Sequence, residues 1–186
     1  MPGTKMNFPE LYGKRVRLGE LSLSGLSEMY EYSKNPLLYK YFEFEPQKSI
    51  EETLEYLMKL LKRSEADNAH YWFIRLLEND KVIGTFGIHD IDQRKKTAEV
   101  SYGISPGYWG MGYFTETLQI VLYHLFVECD FFRIYATTRS DNVPSIKGLE
   151  SVGFQKEGIL RGYYLSHDGK RHDAAILAIL QQDYVK

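Results

Sequence analysis

The sequence predicts a mixed α/β domain built on one central sheet of about six or seven strands, with about four helices. Two observations predict this class. Short runs with strand-like alternation occur early, in the middle and at the end of the chain, and segments with helical periodicity separate them. No internal repeat or low-complexity segment interrupts the 186 residues. Because this length is typical of one domain with one core, we expect residues 1–186 to form a single domain.

The first part of the chain is predicted to form a strand followed by two helices. Residues 15–18 alternate between basic and apolar side chains, as a half-buried strand does. Residues 21–33 have a helical pattern. Ser49 and Glu52 have the spacing of a capping box, and leucines at helical spacing follow them. A second helix is therefore predicted over residues 50–63.

Three strands are predicted next. Residues 71–77 and 81–89 are joined by a short polar turn, which is typical of a hairpin. Residues 97–105 form a third run, which must end at Pro106 because proline cannot donate to a strand ladder. Side chains of this run alternate between two faces, so Val100, Tyr102 and Ile104 share one face and Glu99, Ser101 and Gly103 share the other.

The last part of the chain is predicted to contain a long helix, a short helix and three strands. The long helix begins after Gly112 and has an apolar stripe along one side. The short helix begins near Asn142 and Pro144, and Gly153 is a suitable C-terminal stop. The three strands are predicted over residues 131–137, 154–164 and 173–180.

Composition and charge exclude several classes of protein. The formal net charge is −2 and no long run of Lys or Arg occurs, so no nucleic-acid partner is expected. No run of about 18 apolar residues occurs, so no membrane partner is expected either. Cys129 is the only cysteine, which fits a reducing compartment and a soluble, cytoplasmic protein. No spacing typical of a metal site is present, and we interpret the segment between His167 and His172 as a turn.

The glycine-rich segment of residues 107–115, GYWGMGYFT, is suited to binding a pyrophosphate. A helix that begins at such a turn presents unpaired N–H groups, and glycines let a phosphate approach the main chain. A P-loop is excluded because Tyr113 stands where that motif requires lysine. A dinucleotide fingerprint fits poorly because Thr115 replaces its third glycine. Taken alone, the segment is explained almost equally well as a phosphate-binding turn and as a helix start whose glycines serve only packing.

A second segment, residues 141–145 with the sequence DNVPS, opens a helix that ends at Gly153 and Phe154. In this order and at this spacing, the two segments resemble the GNAT acetyltransferase superfamily. The resemblance extends over residues 16–177 and is closest to the branch that includes ribosomal-protein N-terminal acetyltransferases and spermidine acetyltransferases. It implies a mostly antiparallel mixed sheet and an N-acetyltransferase that uses acetyl-CoA. The implied acceptor is a primary amine of a protein or peptide N-terminus, a polyamine or an amino sugar.

The resemblance also implies how acetyl-CoA binds. The main-chain amides of residues 110–115 would bind the pyrophosphate, and the pantetheine arm would pair with the end of the strand at residues 102–105. Asn142 would bond the pantetheine, and Ser145 would lie near the sulfur. Gly107 replaces the Gln or Arg that is common in the family, so main-chain contacts are expected to dominate. The cofactor-binding residues predicted in this way are Tyr102, Ile104, Ser105, Gly107, Trp109, Gly110, Met111, Gly112, Tyr113, Phe114, Thr115, Asn142 and Ser145.

Amide formation from a thioester requires a neutral amine, and a lysine-like amine with a pKa of about 10.4 arrives protonated. Glu99 is the predicted general base, because an acidic residue on this strand resembles the base of several family members. The alternative is an ordinary solvent-facing strand residue. Leu149 occupies the position at which many relatives carry a tyrosine that donates to the leaving thiolate. Ser145, Tyr163 and Tyr164 are the candidate replacements, and direct attack by the amine is favoured over an acyl-enzyme.

Residues 39–46 contain Glu43 and Glu45 among aromatic rings, between the two early helices. In the superfamily this region borders the acceptor site, so the two carboxylates are candidates for binding a cationic amine. They are equally well explained as exposed carboxylates of a loop. Two further hypotheses are a non-catalytic, regulatory acyl-CoA-binding module and a nicotinamide dinucleotide binder. A homodimer is common in this branch of the superfamily.

Overall fold

The computed structural model describes residues 8–65 and 68–184. The helices are α1 Leu26–Ser33, α2 Ile50–Ser64, α3 Tyr113–Tyr123, α4 Val143–Glu150 and the short α5 Gln181–Tyr184. The strands are β1 Leu11–Tyr12, β2 Val16–Glu20, β3 His70–Leu76, β4 Val82–Asp92, β5 Thr97–Ile104, β6 Arg133–Arg139, β7 Gln155–Leu165 and β8 Arg171–Leu180.

All eight strands form one sheet in the order β1-β2-β3-β4-β5-β6-β8-β7. Every neighbouring pair is antiparallel except β5 and β6. The predicted mixed, mostly antiparallel α/β fold is therefore confirmed. The prediction of six or seven strands is low by one, because β1 has only two residues and is too short to show a periodicity.

The parallel strands β5 and β6 separate partway along their length. Pairing between them covers residues 97–99 and 133–135. Beyond that point, in the described part of the chain, β5 continues to Ile104 beside β4 and β6 continues to Arg139 beside β8. A gap therefore opens between the two strands from Val100 onward, and it lies next to the glycine-rich segment that follows β5.

Apolar side chains pack against both faces of the sheet. On one face, α3 contributes Leu118 and Leu122 of the predicted stripe, and the π-helical turn His124–Glu128 that continues α3 contributes Leu125. All three are fully buried against sheet residues such as Phe86. On the other face, α1 and α2 bury a second cluster that includes Phe73. Full burial of one leucine side chain contributes roughly 1.5 to 3 kcal/mol. The second cluster includes residues of β3 and β4, so these two strands are covered by helices on both faces.

Helix boundaries follow their capping signals where these are strong. Ser49 Oγ accepts a hydrogen bond from the Glu52 main-chain N–H at 3.3 Å, and α2 begins at the predicted residue. The first helix begins later than predicted, because a 3₁₀ turn occupies Leu23–Gly25 before α1. Gly25 packs so closely on the Phe73 ring that a Cβ there would overlap it. Among the described residues, no helix is long and apolar enough to cross a membrane.

Candidate active site

A cleft of about 1240 Å³ opens where β5 and β6 separate. Its walls come from the end of β5, the glycine-rich turn, the start of α4 and the loop between α1 and α2. The lining includes the predicted site residues Glu43, Glu99, Tyr102, Ile104, Trp109, Gly110, Gly112, Phe114, Thr115, Asn142, Ser145, Tyr163 and Tyr164. The predicted residues outside the lining are Glu45, Ser105, Gly107, Met111 and Tyr113.

The glycine-rich turn has an open main chain. Gly110 has a φ of +73° and Gly112, which precedes α3, has a φ of +80°. These left-handed conformations favour glycine strongly over residues with a Cβ. An added Cβ at Gly107 or Gly110 would meet no atom within 4 Å. The space beside the turn is therefore free for an anion to approach the main-chain amides at the start of α3.

Arg15 holds the turn against the start of β2, at the same end of the sheet. Its Nη1 donates to the Met111 carbonyl at 2.9 Å, and its Nε donates to Glu116 Oε2 at 2.8 Å. Its guanidinium also lies 4.5 Å from the Tyr113 ring centroid. Burial alone would raise the pKa of the Glu116 carboxyl, but the hydrogen bonds from Arg15 outweigh it and lower that pKa. Glu116 therefore fixes Arg15 in addition to supplying a charge at the helix start.

Trp109 ties the turn to the strand that precedes it. Its indole N–H donates to the Ile104 carbonyl at 2.7 Å, at the last residue of β5. Since β5 has no β6 partner beyond Glu99 in the described part of the chain, the edge from Val100 to Gly103 is available to an added strand-like ligand. The turn and this edge thus form two parts of one groove.

The start of α4 carries a pair of hydroxyl groups into the cleft. Ser145 Oγ lies 2.7 Å from the Tyr102 hydroxyl. Burial raises the pKa of the Tyr102 phenol well above its ordinary value, against the opposing effect of the Ser145 hydrogen bond. The Asn142 side chain accepts from the Ser145 main-chain N–H at 3.4 Å and donates to Thr138 Oγ1 at 3.0 Å. Asn142 therefore caps α4 and attaches it to β6.

Glu99 is buried, with 8% of its surface exposed. Its Oε1 accepts hydrogen bonds from Thr137 Oγ1 at 2.6 Å and from the Thr137 main-chain N–H at 3.1 Å. Its Oε2 lies 3.9 Å from His89 Nδ1. The alternative of a solvent-facing strand residue is therefore wrong. One carboxylate oxygen is fixed by β6, and the other is left for a proton from the cleft.

Tyr164 extends this hydrogen-bonded chain. Its hydroxyl donates to Thr137 Oγ1 at 3.1 Å, and Thr137 Oγ1 donates in turn to Glu99. Burial raises the pKa of Tyr164 to about 12, so its phenol keeps its proton near neutral pH. Tyr163 is half exposed, and its ring contacts the Tyr164 ring edge-on. This series of hydrogen bonds connects Tyr164 to Glu99 through Thr137, but it does not include Ser145.

Three side chains at the mouth of the cleft offer metal-ligand atoms close together. The ligand atoms of His89, Asp90 and Glu99 lie within 4.8 Å of one another. Asp90 is exposed, and Glu99 already has one oxygen bonded to Thr137. This is the only such group in the described part of the chain. The expectation that no metal takes part stays a prediction.

The two carboxylates expected near the acceptor already have partners. Glu43 Oε1 accepts from the Leu165 main-chain N–H at 2.8 Å, which attaches the loop to β7. Glu45 lies 3.1 Å from Lys48 Nζ and 3.8 Å from His167. A cationic acceptor would have to compete with these contacts, and Glu45 lies outside the cleft lining.

Sequence reasoning missed Thr137 and Arg15. Each side chain bonds a residue that is distant in the sequence, 38 positions away for Thr137 and 101 for Arg15. The only signal for Thr137 is the register of β5 and β6, which pairs Glu99 with Tyr135 and so puts Thr137 on the same face one pleat further. The local sequence pattern does not show which residues of two parallel strands lie opposite each other. The sequence pattern predicts Arg15 only as part of a strand.

Known proteins share this architecture and parts of this sequence. Residues 15–155 match the family model described as an acetyltransferase (GNAT) domain. The chain is 31% identical to an uncharacterized N-acetyltransferase, p20, from Bacillus licheniformis, with 94% of this chain and 97% of the relative covered. The curated relatives include a spermidine N(1)-acetyltransferase and a ribosomal-protein-serine acetyltransferase, which confirms the predicted branch.

Solved structures agree with the fold. A GCN5-related N-acetyltransferase from Brucella melitensis superposes with a TM-score of 0.88 at 21% identity, covering 98% of this chain and 83% of that one. A spermidine N-acetyltransferase from Vibrio cholerae, solved in complex with CoA and spermine, gives a TM-score of 0.78 at 22% identity, covering 92% and 99%.

Proposed function

Since this chain belongs to the GNAT acetyltransferase family and is therefore an N-acetyltransferase that uses acetyl-CoA, we propose that it acetylates a primary amine by direct attack on the thioester, with Glu99 as the general base. One observation carries the assignment of the base. Glu99 is a buried carboxylate at the point where β5 and β6 part, with one oxygen bonded to Thr137 and the other free to accept a proton.

Several features of the cleft suit acetyl-CoA. The main-chain amides at Gly110 to Thr115 are suited to the pyrophosphate, since the turn is open and precedes a helix. The unpaired edge of β5 suits the amides of the pantetheine arm, which would run from the turn back towards Glu99. When bound, acetyl-CoA supplies an acyl group activated as a thioester.

Glu99 and its neighbours then remove the proton of the acceptor's ammonium group. The ammonium form of the acceptor must lose a proton before it can attack, and Glu99 Oε2 accepts it directly or through water. Thr137 keeps the carboxylate in place, and Tyr164 supports Thr137 from the far side. Tyr164 is therefore proposed as a positioning residue for the base.

The leaving thiolate is proposed to accept a hydrogen bond from Ser145 and to take its proton from water. The Ser145 hydroxyl stands at the start of α4 beside the gap, and its 2.7 Å hydrogen bond with the Tyr102 phenol keeps it in place. Leu149 is fully buried and has no proton to give. A thiol like that of cysteine has a pKa of about 8.5, so one hydroxyl donor is sufficient help.

Acetyl-CoA titration and a thiol-release assay test this function. A ligand that binds only the folded state stabilises it, and at 100 times its Kd it should raise Tm by roughly 5 to 10 °C. Free thiol should appear only when a primary amine is added. A Tm shift without thiol release from any amine would instead indicate a non-catalytic acyl-CoA-binding module. No shift at millimolar acetyl-CoA would contradict the cosubstrate assignment.

A further inference from the structure

A small pocket of about 90 Å³ lies beside the main cleft. We call it the aromatic pocket, because its walls include the rings of Tyr39, Phe42, Phe44, Tyr56 and Tyr71. Ser101 and Gly103 of β5 line both this pocket and the cleft, so the two spaces are continuous. The pocket therefore adjoins the strand that carries the proposed base.

Small residues on the two central strands make the room. A Cβ added at Gly103 would sit 3.7 Å from Leu38 and 3.9 Å from Phe42, at ordinary contact distance. A single methyl group at this position would therefore already touch the facing wall. Gly87 of β4 also lines the pocket, and a Cβ there would overlap the Tyr71 ring. The sheet is thus recessed where the rings face it.

The pocket is suited to an uncharged group. Among the described residues that line it, none carries a formal charge. The Tyr32 hydroxyl is paired with Thr85 Oγ1 at 2.6 Å. An ammonium group in this space would lose its water and gain only cation–π contacts, which do not repay the loss of hydration. An apolar group gains from the same burial.

The volume sets the size of that group. A cavity of about 150 Å³ holds a benzene molecule. The aromatic pocket is smaller, at about 90 Å³, so it fits a branched aliphatic group of three or four carbons rather than an aromatic ring.

The spacing along β5 connects this group to the reacting amine. Glu99 and Ser101 share one face of the strand, and residues two apart on a strand are separated by about 7 Å. An extended leucine spans roughly 5 Å from its amine nitrogen to its methyl carbons. An amine that meets the Glu99 carboxylate through water can therefore place its side chain over Ser101, where the cleft and the aromatic pocket join.

We infer that the aromatic pocket binds the aliphatic side chain of the acceptor, so that the acceptor is the amino group of a peptide N-terminus with a branched apolar first residue. This inference rests on the proposed acetylation of a primary amine. A polyamine fits less well, because its second ammonium would find no carboxylate in the pocket, and Glu43 and Glu45 of the adjoining loop are already bonded.

The experiment compares kcat/KM for thiol release with the tripeptides Leu-Gly-Gly, Ala-Gly-Gly, Phe-Gly-Gly and Lys-Gly-Gly, and with spermidine. Each buried methylene contributes about a fourfold gain, so Leu-Gly-Gly should exceed Ala-Gly-Gly by roughly 10- to 60-fold. Lys-Gly-Gly and spermidine should be slower than Leu-Gly-Gly. Spermidine or Lys-Gly-Gly reacting fastest would overturn the inference and leave the proposed function standing. No thiol release from any acceptor would overturn both.

Two pocket variants and one control test whether the preference for Leu-Gly-Gly depends on the aromatic pocket. Leu38→Phe adds bulk to the pocket wall that faces Gly103, so the ratio of Leu-Gly-Gly to Ala-Gly-Gly should fall towards one while Ala-Gly-Gly still reacts. Phe42→Ala enlarges the pocket, so the ratio of kcat/KM for Phe-Gly-Gly to that for Leu-Gly-Gly should rise. Phe132→Ala removes an exposed ring outside the cleft lining and should leave every ratio unchanged. Melting curves with acetyl-CoA show that each variant is folded. Unchanged ratios in both folded pocket variants would overturn the inference.

Discussion

At the residue scale, the chemistry depends on the Glu99 carboxylate. Glu99→Gln keeps the shape and the hydrogen bond accepted from Thr137, but it cannot take a proton. We expect turnover to fall by about 10²- to 10⁴-fold, the usual contribution of a general base. The Kd of acetyl-CoA should stay nearly constant, because the turn binds the pyrophosphate elsewhere. The control is Glu157→Gln, which removes a carboxylate bonded to Arg133 outside the cleft lining. Equal turnover in both variants would rule Glu99 out as the base.

Thr137 is expected to act by positioning Glu99. Thr137→Val removes the hydroxyl that donates to Glu99 and accepts from Tyr164, while the main-chain N–H remains. A lost hydrogen bond to a charged group should lower kcat roughly tenfold, with little change in KM for acetyl-CoA. Thr137→Ser restores the hydroxyl and should restore most of the rate. A Val variant as active as wild type, or a Ser variant as slow as Val, would contradict this role.

At the element scale, the turn before α3 should bind acetyl-CoA through its main chain. Gly110→Ala forces a Cβ onto a φ of +73° and puts a methyl group in the open space beside the amides. Gly169→Ala is the matched control, because Gly169 has a φ of +79°, equally open space and a place in the turn between β7 and β8. Both should cost about 1 to 2 kcal/mol of stability. Only Gly110→Ala should weaken acetyl-CoA binding by titration calorimetry. Equal Kd values in the two variants would contradict the assignment.

The elements that could be predicted are those with a local signal. The capping box of Ser49 and Glu52 predicts the start of α2, and the apolar stripe predicts α3. The start of α1 was predicted too early, because the packing of Gly25 on Phe73 is a tertiary contact. The role of Thr137 could not be predicted for the same reason, since its position beside Glu99 depends on how two strands pair. Local periodicity therefore predicts the scaffold well, and long-range register decides which side chains meet in the site.

At the scale of the whole molecule, buried tyrosines make stability sensitive to alkaline pH. Burial raises the pKa of Tyr56 to about 12 from its ordinary value of 10.0, and Tyr164 is also raised to about 12. Above pH 10 the unfolded chain loses these protons while the folded protein keeps them. The unfolded state then binds fewer protons, so the free energy of unfolding falls as pH rises from 10 to 12.

Burial also raises the pKa of Tyr32, and the expected fall is largest for this buried phenol, at about 1.4 kcal/mol per pH unit, and smaller for the partly exposed Tyr56 and Tyr164. Urea unfolding at pH 8, 10 and 11 measures it, and the stability should be level up to pH 10 and lower at pH 11. Equal stability at pH 10 and 11 would show that these phenols titrate normally in the folded protein. That the chain forms one domain, acts in the cytoplasm and pairs into a homodimer stays a prediction at this scale.

The measurement that tests the proposed function most directly is the stoichiometry of the reaction. Wild-type protein is incubated with acetyl-CoA and a tripeptide, and the thiol released is compared with the acetylated amine identified by mass spectrometry. We expect one acetylated amine for each thiol, no acetylated protein when the amine is omitted, and a rate reduced by about 10²-fold or more in Glu99→Gln. Thiol without acetylated amine, or an acetylated protein that forms first and then acetylates the peptide, would contradict direct transfer to a primary amine.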